Sequence, residues 1–132
     1  MRGTAAIEGS FPRMYALFGL QRANFLALSA YTLGAEEAKE WGLVQRIVKS
    51  EEGKTLVGEA VKMGSLIAKM SPDSVFVSRT GIRQAMETAS VERATQLTAN
   101  AYAEKLMNGA NVKEGMRAFQ EKRVPNWVPS KL

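Results

Sequence analysis

Histidine and cysteine are both absent from this chain, and that absence narrows its chemistry before any motif is read. A Ser-His-Asp or Cys-His relay cannot be assembled from these residues. Nor can a disulfide, a thiolate nucleophile, or a Cys- or His-type metal site. Any proton moved here passes through a carboxylate, a tyrosine, a lysine or water. Glu8 is the carboxylate with the most suggestive neighbours, flanked by Ile7 and Phe11 in a glycine-punctuated stretch. A carboxyl held over an apolar pocket has a raised pKa and could exchange protons with a substrate carbon. The plainer alternative is a solvated loop carboxylate, or one set at a helix N-terminus for its dipole. The pairs Glu36-Glu37 and Glu51-Glu52 are adjacent in sequence, so on a helix they diverge. Both read as surface.

Charge and composition add further limits. The formal net charge is +5 over 132 residues, of which 45% are hydrophobic and 23% charged, as in an ordinary globular domain. The basic residues are scattered at helical spacing with acids between them. A nucleic-acid surface would show a dense basic stripe with stacking aromatics, so a few lysines or arginines facing a phosphate-bearing ligand fit better. No apolar run approaches the ~18 residues that span a bilayer, and no signal-peptide pattern opens the chain. The expectation is no nucleic acid, no membrane and no metal.

The elements that position these groups read as mainly α with one short strand. A loop to Ser10 leads into a short helix near residues 11–18, stopped by Gly19, and a second helix covers 21–30. Residues 35–41 make a further turn or two, with Gly42 as the stop. Leu43–Val48 carries the strand signal, its β-branched end supplied by Ile47 and Val48. Ser50 with Glu51 and Glu52 signals a helix start, followed by a stripe of Leu56, Val57, Ala60, Val61, Gly64, Ile67 and Ala68. Ser71-Pro72 and Ser90 open two more helices. Asn111 and Glu114 have the spacing of a capping box, and start a last helix with Val112, Met116 and Phe119 on its inner face. Trp41 and Trp127 read as packing anchors. A lone strand has nothing to pair with, and short helices rich in Ala and Met need a surface to cover. Both suit a segment that packs onto other structure.

Two separated stretches carry a family resemblance. Thr32-Leu-Gly-Ala-Glu-Glu-Ala-Lys-Glu-Trp-Gly-Leu-Val-Gln-Arg-Ile-Val48 and Asn111-Val-Lys-Glu-Gly-Met-Arg-Ala-Phe-Gln-Glu-Lys-Arg-Val-Pro-Asn-Trp127 resemble, in order, segments of the enoyl-CoA hydratase/isomerase (crotonase-like) superfamily. The loop Gly3–Arg13 matches that family's glycine-rich active-site loop in part: Gly3, Gly9 and Arg13 line up, while Ala6 and Ile7 replace its proline and one glycine. The resemblance implies a ββα spiral fold of which this chain is the C-terminal, helical, trimerising portion. Residues 1–48 would be the end of the core, and 49–132 the helical oligomerisation region and tail. It also implies that the family's hydratase glutamates and oxyanion-hole amides lie upstream of Met1, so this chain alone is expected to be inactive. Glu8-Gly9-Ser10 is similar to the Glu-Gly-x-Ser/Thr pattern of the family's peroxisomal isomerases, which makes Glu8 the implied catalytic residue. Phe119 and Lys122 match positions that hold the adenine and phosphate end of CoA; otherwise Phe119 is core and Lys122 a solvated helix end.

The activity implied for the intact enzyme is hydration or isomerisation of an enoyl-CoA double bond, with the CoA thioester as substrate and no covalently bound cofactor. A homotrimer or hexamer is the implied assembly. The closing tripeptide Ser130-Lys131-Leu132 reads as a peroxisomal address, which an import receptor would recognise on an exposed tail; the alternative location is the cytoplasm. Two other readings compete: a non-catalytic helical oligomerisation or regulatory piece, and, more weakly, a basic helical nucleic-acid binder.

Overall fold

Six α-helices form among the residues described by this computed structural model, 5–49 and 55–132. They are α1 (Ser10–Ser29), α2 (Ala35–Glu40), α3 (Leu56–Ala68), α4 (Pro72–Thr88), α5 (Val91–Asn108) and α6 (Ala110–Gln120). The chain divides into two compact units, Met1–Leu56 and Val57–Leu132. The helix start expected at Ser50–Glu52, and Gly3 of the loop, lie outside the described residues.

In the first unit, α1 is two helical legs joined at Gly19, whose φ of 79° and ψ of 173° are open to glycine almost alone. The break falls where the sequence places it. The second leg closes at Ala30, and α2 closes at Trp41 with Gly42 at φ 81°. Glu36 and Glu37 sit in the first turn of α2 and Lys39 in its last, each at the end that favours its charge. Trp41 is the packing anchor of the unit. Its ring lies 6.1 Å from Phe18 and 6.4 Å from Phe25, with the Arg22 guanidinium 5.1 Å from its centroid. Tyr31 joins this cluster through Phe25, at 5.1 Å, and donates its hydroxyl to Glu37 Oε2 at 2.9 Å. The bond to that carboxylate raises the Tyr31 pKa.

The strand expected at Leu43–Val48 does not form. The Leu43 and Val44 amides turn back to the Ala38 carbonyl, and residues 46–49 have no regular structure. No strand occurs among the described residues. The β-branched residues satisfy the propensity, but a strand is a pairing, and nothing here supplies a ladder partner.

In the second unit, side-chain caps start the two long helices. Ser71 accepts from the Ser74 amide and Pro72 occupies the first turn of α4, while Ser90 accepts from the Arg93 amide to start α5. The two helices pack along each other. Gly81 of α4 is ordinary contact distance from Thr98 of α5, and Phe76 meets Tyr102 edge-on at 5.5 Å. Helix α6 leaves α5 at the Gly109 corner, and the chain then turns back so that the tail crosses α6.

That return overturns the expected inner face of α6. Met116 and Phe119 point outward, Phe119 being 86% exposed, while Asn111 and Ala118 are buried. Positions 111, 115 and 118 share one helical face. The tail covers it because Gly115 leaves room for the Trp127 ring, where a Cβ would sit 3.2 Å from the indole. The expected capping box is absent as well. Gly109 is the N-cap, and Asn111 and Glu114 both turn to the tail. The apolar stripe of α3 is exposed too, with Leu56, Val57, Val61 and Ile67 all more than half open.

Candidate functional site

Two places carry the residues singled out for chemistry, one in each unit. In the first unit, Glu8 lies in a turn immediately before α1, and its side chain is exposed. Gly9 takes φ 85° there, and Arg13 reaches back over the turn, its Nη1 donating to the carbonyls of Gly9 at 3.2 Å and Glu8 at 3.5 Å. The guanidinium thus secures the main chain of the turn and leaves the Glu8 carboxylate without an ion pair among the described residues. Beside it, the two legs of α1 fold around a groove of about 530 Å³ lined by Phe11, Tyr15, Leu20, Ala23, Asn24 and Leu28, among others. This is an apolar trough with two polar side chains on its wall, the usual character of a small-molecule site. Of the expected flanking residues, Phe11 lines it; Glu8 and Ile7 do not.

The second place is the end of α6. The Arg123 amide bonds the Ala118 carbonyl at 3.0 Å, and the Lys122 amide bonds the Phe119 carbonyl at 3.3 Å. That is the paired closure in which the residue beyond the C-cap goes left-handed. Glycine ordinarily fills that position, but here it is Lys122, at φ 54°. A side chain in this conformation costs roughly 1–2 kcal/mol. The neighbours of Lys122 are held tightly. Arg123 grips both oxygens of Glu114, Nη1 at 2.6 Å and Nη2 at 3.0 Å, and its Nε meets Glu121 Oε2 at 2.6 Å. Glu114 Oε1 also accepts the Asn126 amide at 2.7 Å.

The Glu114 side chain keeps only 18% of its exposure, and the Arg123 guanidinium and the Asn126 amide lower its pKa to about 2. The same pairing raises the Arg123 pKa. Because the native carboxyl is the stronger acid, its stabilising contribution is complete above its ordinary pKa of 4.5 and is lost as pH falls from there toward about 2. Lys122 itself makes no ion pair among the described residues. Phe119 and Lys122 thus stand together at one helix end, the ring exposed and the ammonium unclaimed.

A polar network missed by sequence reasoning anchors the tail that follows. Asn111 is 2% exposed and Asp73 5%. The Asn111 amide donates to Asp73 Oδ2 at 2.8 Å and to the Val128 carbonyl at 3.0 Å, and accepts the Val128 amide at 2.9 Å. Trp127 Nε1 adds a bond to the Lys69 carbonyl at 2.8 Å. Only the tail's turn back across α6 creates these partners, so no local motif marks them. Beyond Val128, the residues Ser130, Lys131 and Leu132 line a cavity of about 850 Å³ with Asp73, Lys105 and Asn111. Ser130 and Lys131 are exposed and Leu132 half-buried. Among the described residues no cluster of acidic side chains could hold a metal ion, and no helix is long and apolar enough to cross a membrane.

Comparison with known proteins adds to this geometry. Residues 3–130 match the family model described as enoyl-CoA hydratase/isomerase. The chain is 44% identical over 131 residues to a mevalonyl-coenzyme A hydratase of Aspergillus fumigatus, covering 99% of this chain and 47% of that protein. It is 39% identical to a mevalonyl-coenzyme A hydratase of Beauveria bassiana, covering 98% and 46%. Among solved structures it is similar to an enoyl-CoA hydratase of Mycobacterium tuberculosis, with a TM-score of 0.84 at 28% identity over 98% of this chain and 49% of the other. The chain spans about half the length of the curated relatives it matches.

Proposed function

The chain belongs to the enoyl-CoA hydratase/isomerase family, and from that membership we propose that the protein carrying it adds water across the C2–C3 double bond of a 2-enoyl-CoA, or removes it in reverse. The helices have the architecture of the helical part of such enzymes. The observation that carries the reading is the 44% identity, along almost the whole chain, to a mevalonyl-coenzyme A hydratase. It also favours a substrate class. Mevalonyl is a 3-hydroxy-3-methyl acyl group bearing a terminal hydroxyl, so the product of its dehydration is a 3-methyl-2-enoyl thioester. A trough that is mostly apolar but has Tyr15 and Asn24 on its wall suits an acyl chain with one polar end.

In this reading the segment supplies Phe119 and Lys122 for the nucleotide end of CoA. A lysine on a long stem suits a phosphate, and an exposed ring suits a base. Backbone amides and carboxylates outside these residues stabilise the thioester enolate. Glu8, exposed and without an ion pair among the described residues, is the group here that could move a proton between substrate carbons. The test is turnover by the complete protein, comparing crotonyl-CoA with mevalonyl-CoA. A kcat/KM higher for mevalonyl-CoA supports the reading; no turnover of either thioester would overturn it.

Two further parts of the proposal concern assembly and location. Every buried apolar residue among those described is an alanine, and many large apolar side chains are exposed. Such surfaces suit a trimer or hexamer, and sedimentation of the complete protein as a stable monomer at micromolar concentration would count against one. Where Leu132 is the free carboxyl end of the protein, Ser130-Lys131-Leu132 directs it to peroxisomes. Masking that end with a tag should leave the protein in the cytosol, and unchanged peroxisomal targeting would show the tripeptide to be incidental.

A further inference from the structure

The turn after α6 spends a lysine where a glycine would be easier. Lys122 is left-handed at φ 54°, and it is the one residue of the turn whose side chain is not engaged. On one side Glu121 is held by Arg123 Nε at 2.6 Å. On the other, Arg123 is held by both oxygens of Glu114, and its Nη1 also reaches the Val124 carbonyl at 3.2 Å. Glu114 further fixes Asn126 through that residue's amide. A single carboxylate on the helix thus holds the chain beyond Lys122 at two points.

The electrostatic consequence concerns the lysine. Two carboxylates bear on this turn: Glu121 is the C-cap of α6, where the helix dipole is itself negative, and Glu114, within the helix, is tied to the turn through Arg123. Glu121 precedes Lys122 directly in the chain and carries the opposite charge. Arg123 takes both carboxylates, with Arg117 adding its field at Glu114, so the ammonium stays available. Fork-like pairing with both carboxylate oxygens suits this task, because it sets orientation as well as charge.

We propose that Glu114 is a positioning residue for binding the nucleotide end of the CoA thioester, acting through Arg123 to hold Lys122 left-handed and unpaired beside Phe119. This rests on the reading that Lys122 meets a CoA phosphate. The energetic role falls on substrate affinity and not on the chemical step, so the signature is a split between KM and kcat.

The experiment uses the complete protein and two substrates, an enoyl-CoA and the matching pantetheine thioester, which lacks the nucleotide. Glu114→Gln keeps an oxygen for the Asn126 amide but removes the charge that holds Arg123. It should raise KM for the CoA thioester by about tenfold, leave kcat in place, and leave the pantetheine thioester unaffected. In a Lys122→Ala background the same change should add nothing. Arg123→Lys keeps the charge and loses the fork, and should show the same split more weakly. A rise in KM for both thioesters, or a fall in kcat with unchanged KM, would mean a general structural role and overturn the proposal. If Lys122→Ala raises KM while Glu114→Gln does not, the proposal alone falls. If Lys122→Ala leaves KM unchanged, the reading of Lys122 as a phosphate contact falls and takes the proposal with it.

Discussion

The turn before α1 and the turn after α6 solve the same backbone problem with different residues. Gly9 at φ 85° reverses the chain beside Glu8, and Lys122 at φ 54° reverses it beside Phe119. Glycine enters the left-handed region at no steric cost, so Gly9 needs no further explanation: the turn exists and the residue permits it. Lysine pays for entry, and the surroundings must hold it there. At Gly9 a single arginine closes over main-chain carbonyls, whereas at Lys122 an arginine is locked between two carboxylates. The first turn presents a carboxylate by leaving it alone. The second presents an ammonium while Arg123 occupies Glu114 and Glu121.

The largest way to break that contrast is at Glu8. If its exposed carboxylate works as an acid–base group, Glu8→Gln in the complete protein should slow conversion of a 3-enoyl-CoA to the 2-enoyl isomer by about 10²-fold or more. Hydration, which under the proposed reading relies on groups outside these residues, should change only a few-fold. A near-normal isomerisation rate would reduce Glu8 to a surface residue of the turn.

The next effect is on stability. Asn111→Ala removes three hydrogen bonds from the tail network and strands a buried Asp73 carboxylate, whose Oδ1 already lacks a donor among the described residues. A loss of about 2–4 kcal/mol is expected in chemical denaturation, with faster proteolysis after Arg123. A loss below about 0.5 kcal/mol would show that the tail is held elsewhere.

The smallest effects have opposite signs in the two turns. Gly9→Ala places a Cβ 2.9 Å from Arg13 Nη1 in a conformation that resists side chains, and should cost about 1–2 kcal/mol. Lys122→Gly relieves that same conformation and should gain about 1 kcal/mol, while weakening CoA binding. Thermal unfolding of the two variants separates them. Destabilisation by Lys122→Gly would mean that the lysine side chain supports the turn it strains.

What could be read from sequence follows the range of the signal. Ser71-Pro72, Ser90, Gly19 and Gly42 act within a turn of themselves, and each element begins or ends where they indicate. Leu43–Val48 has the composition of a strand, but pairing is a relation with another segment and composition cannot supply one. Asn111 and Glu114 carry the spacing of a capping box because three residues separate them. The structure uses that spacing differently, since Val128, Arg123 and Asn126 compete for the same side chains and win. The inner face of α6 departs from its apolar pattern for the same cause: the surface that covers it arrives only with Trp127. At the site, Glu8, Phe119 and Lys122 were singled out beforehand, whereas Glu114 and Asp73 show their roles only through partners distant in sequence.

The Asn111 amide has a consequence for how the tail can change. It pairs with both the N–H and the C=O of Val128, as a neighbouring strand would, and that pairing is blind to what the residue carries. The Val128 side chain itself is exposed. Position 128 is therefore open to many side chains, proline excepted because it lacks the donor. Trp127, one residue earlier, must match the space above Gly115. Adjacent residues thus stand under opposite constraints: one is fixed by its shape, and the other only by its backbone.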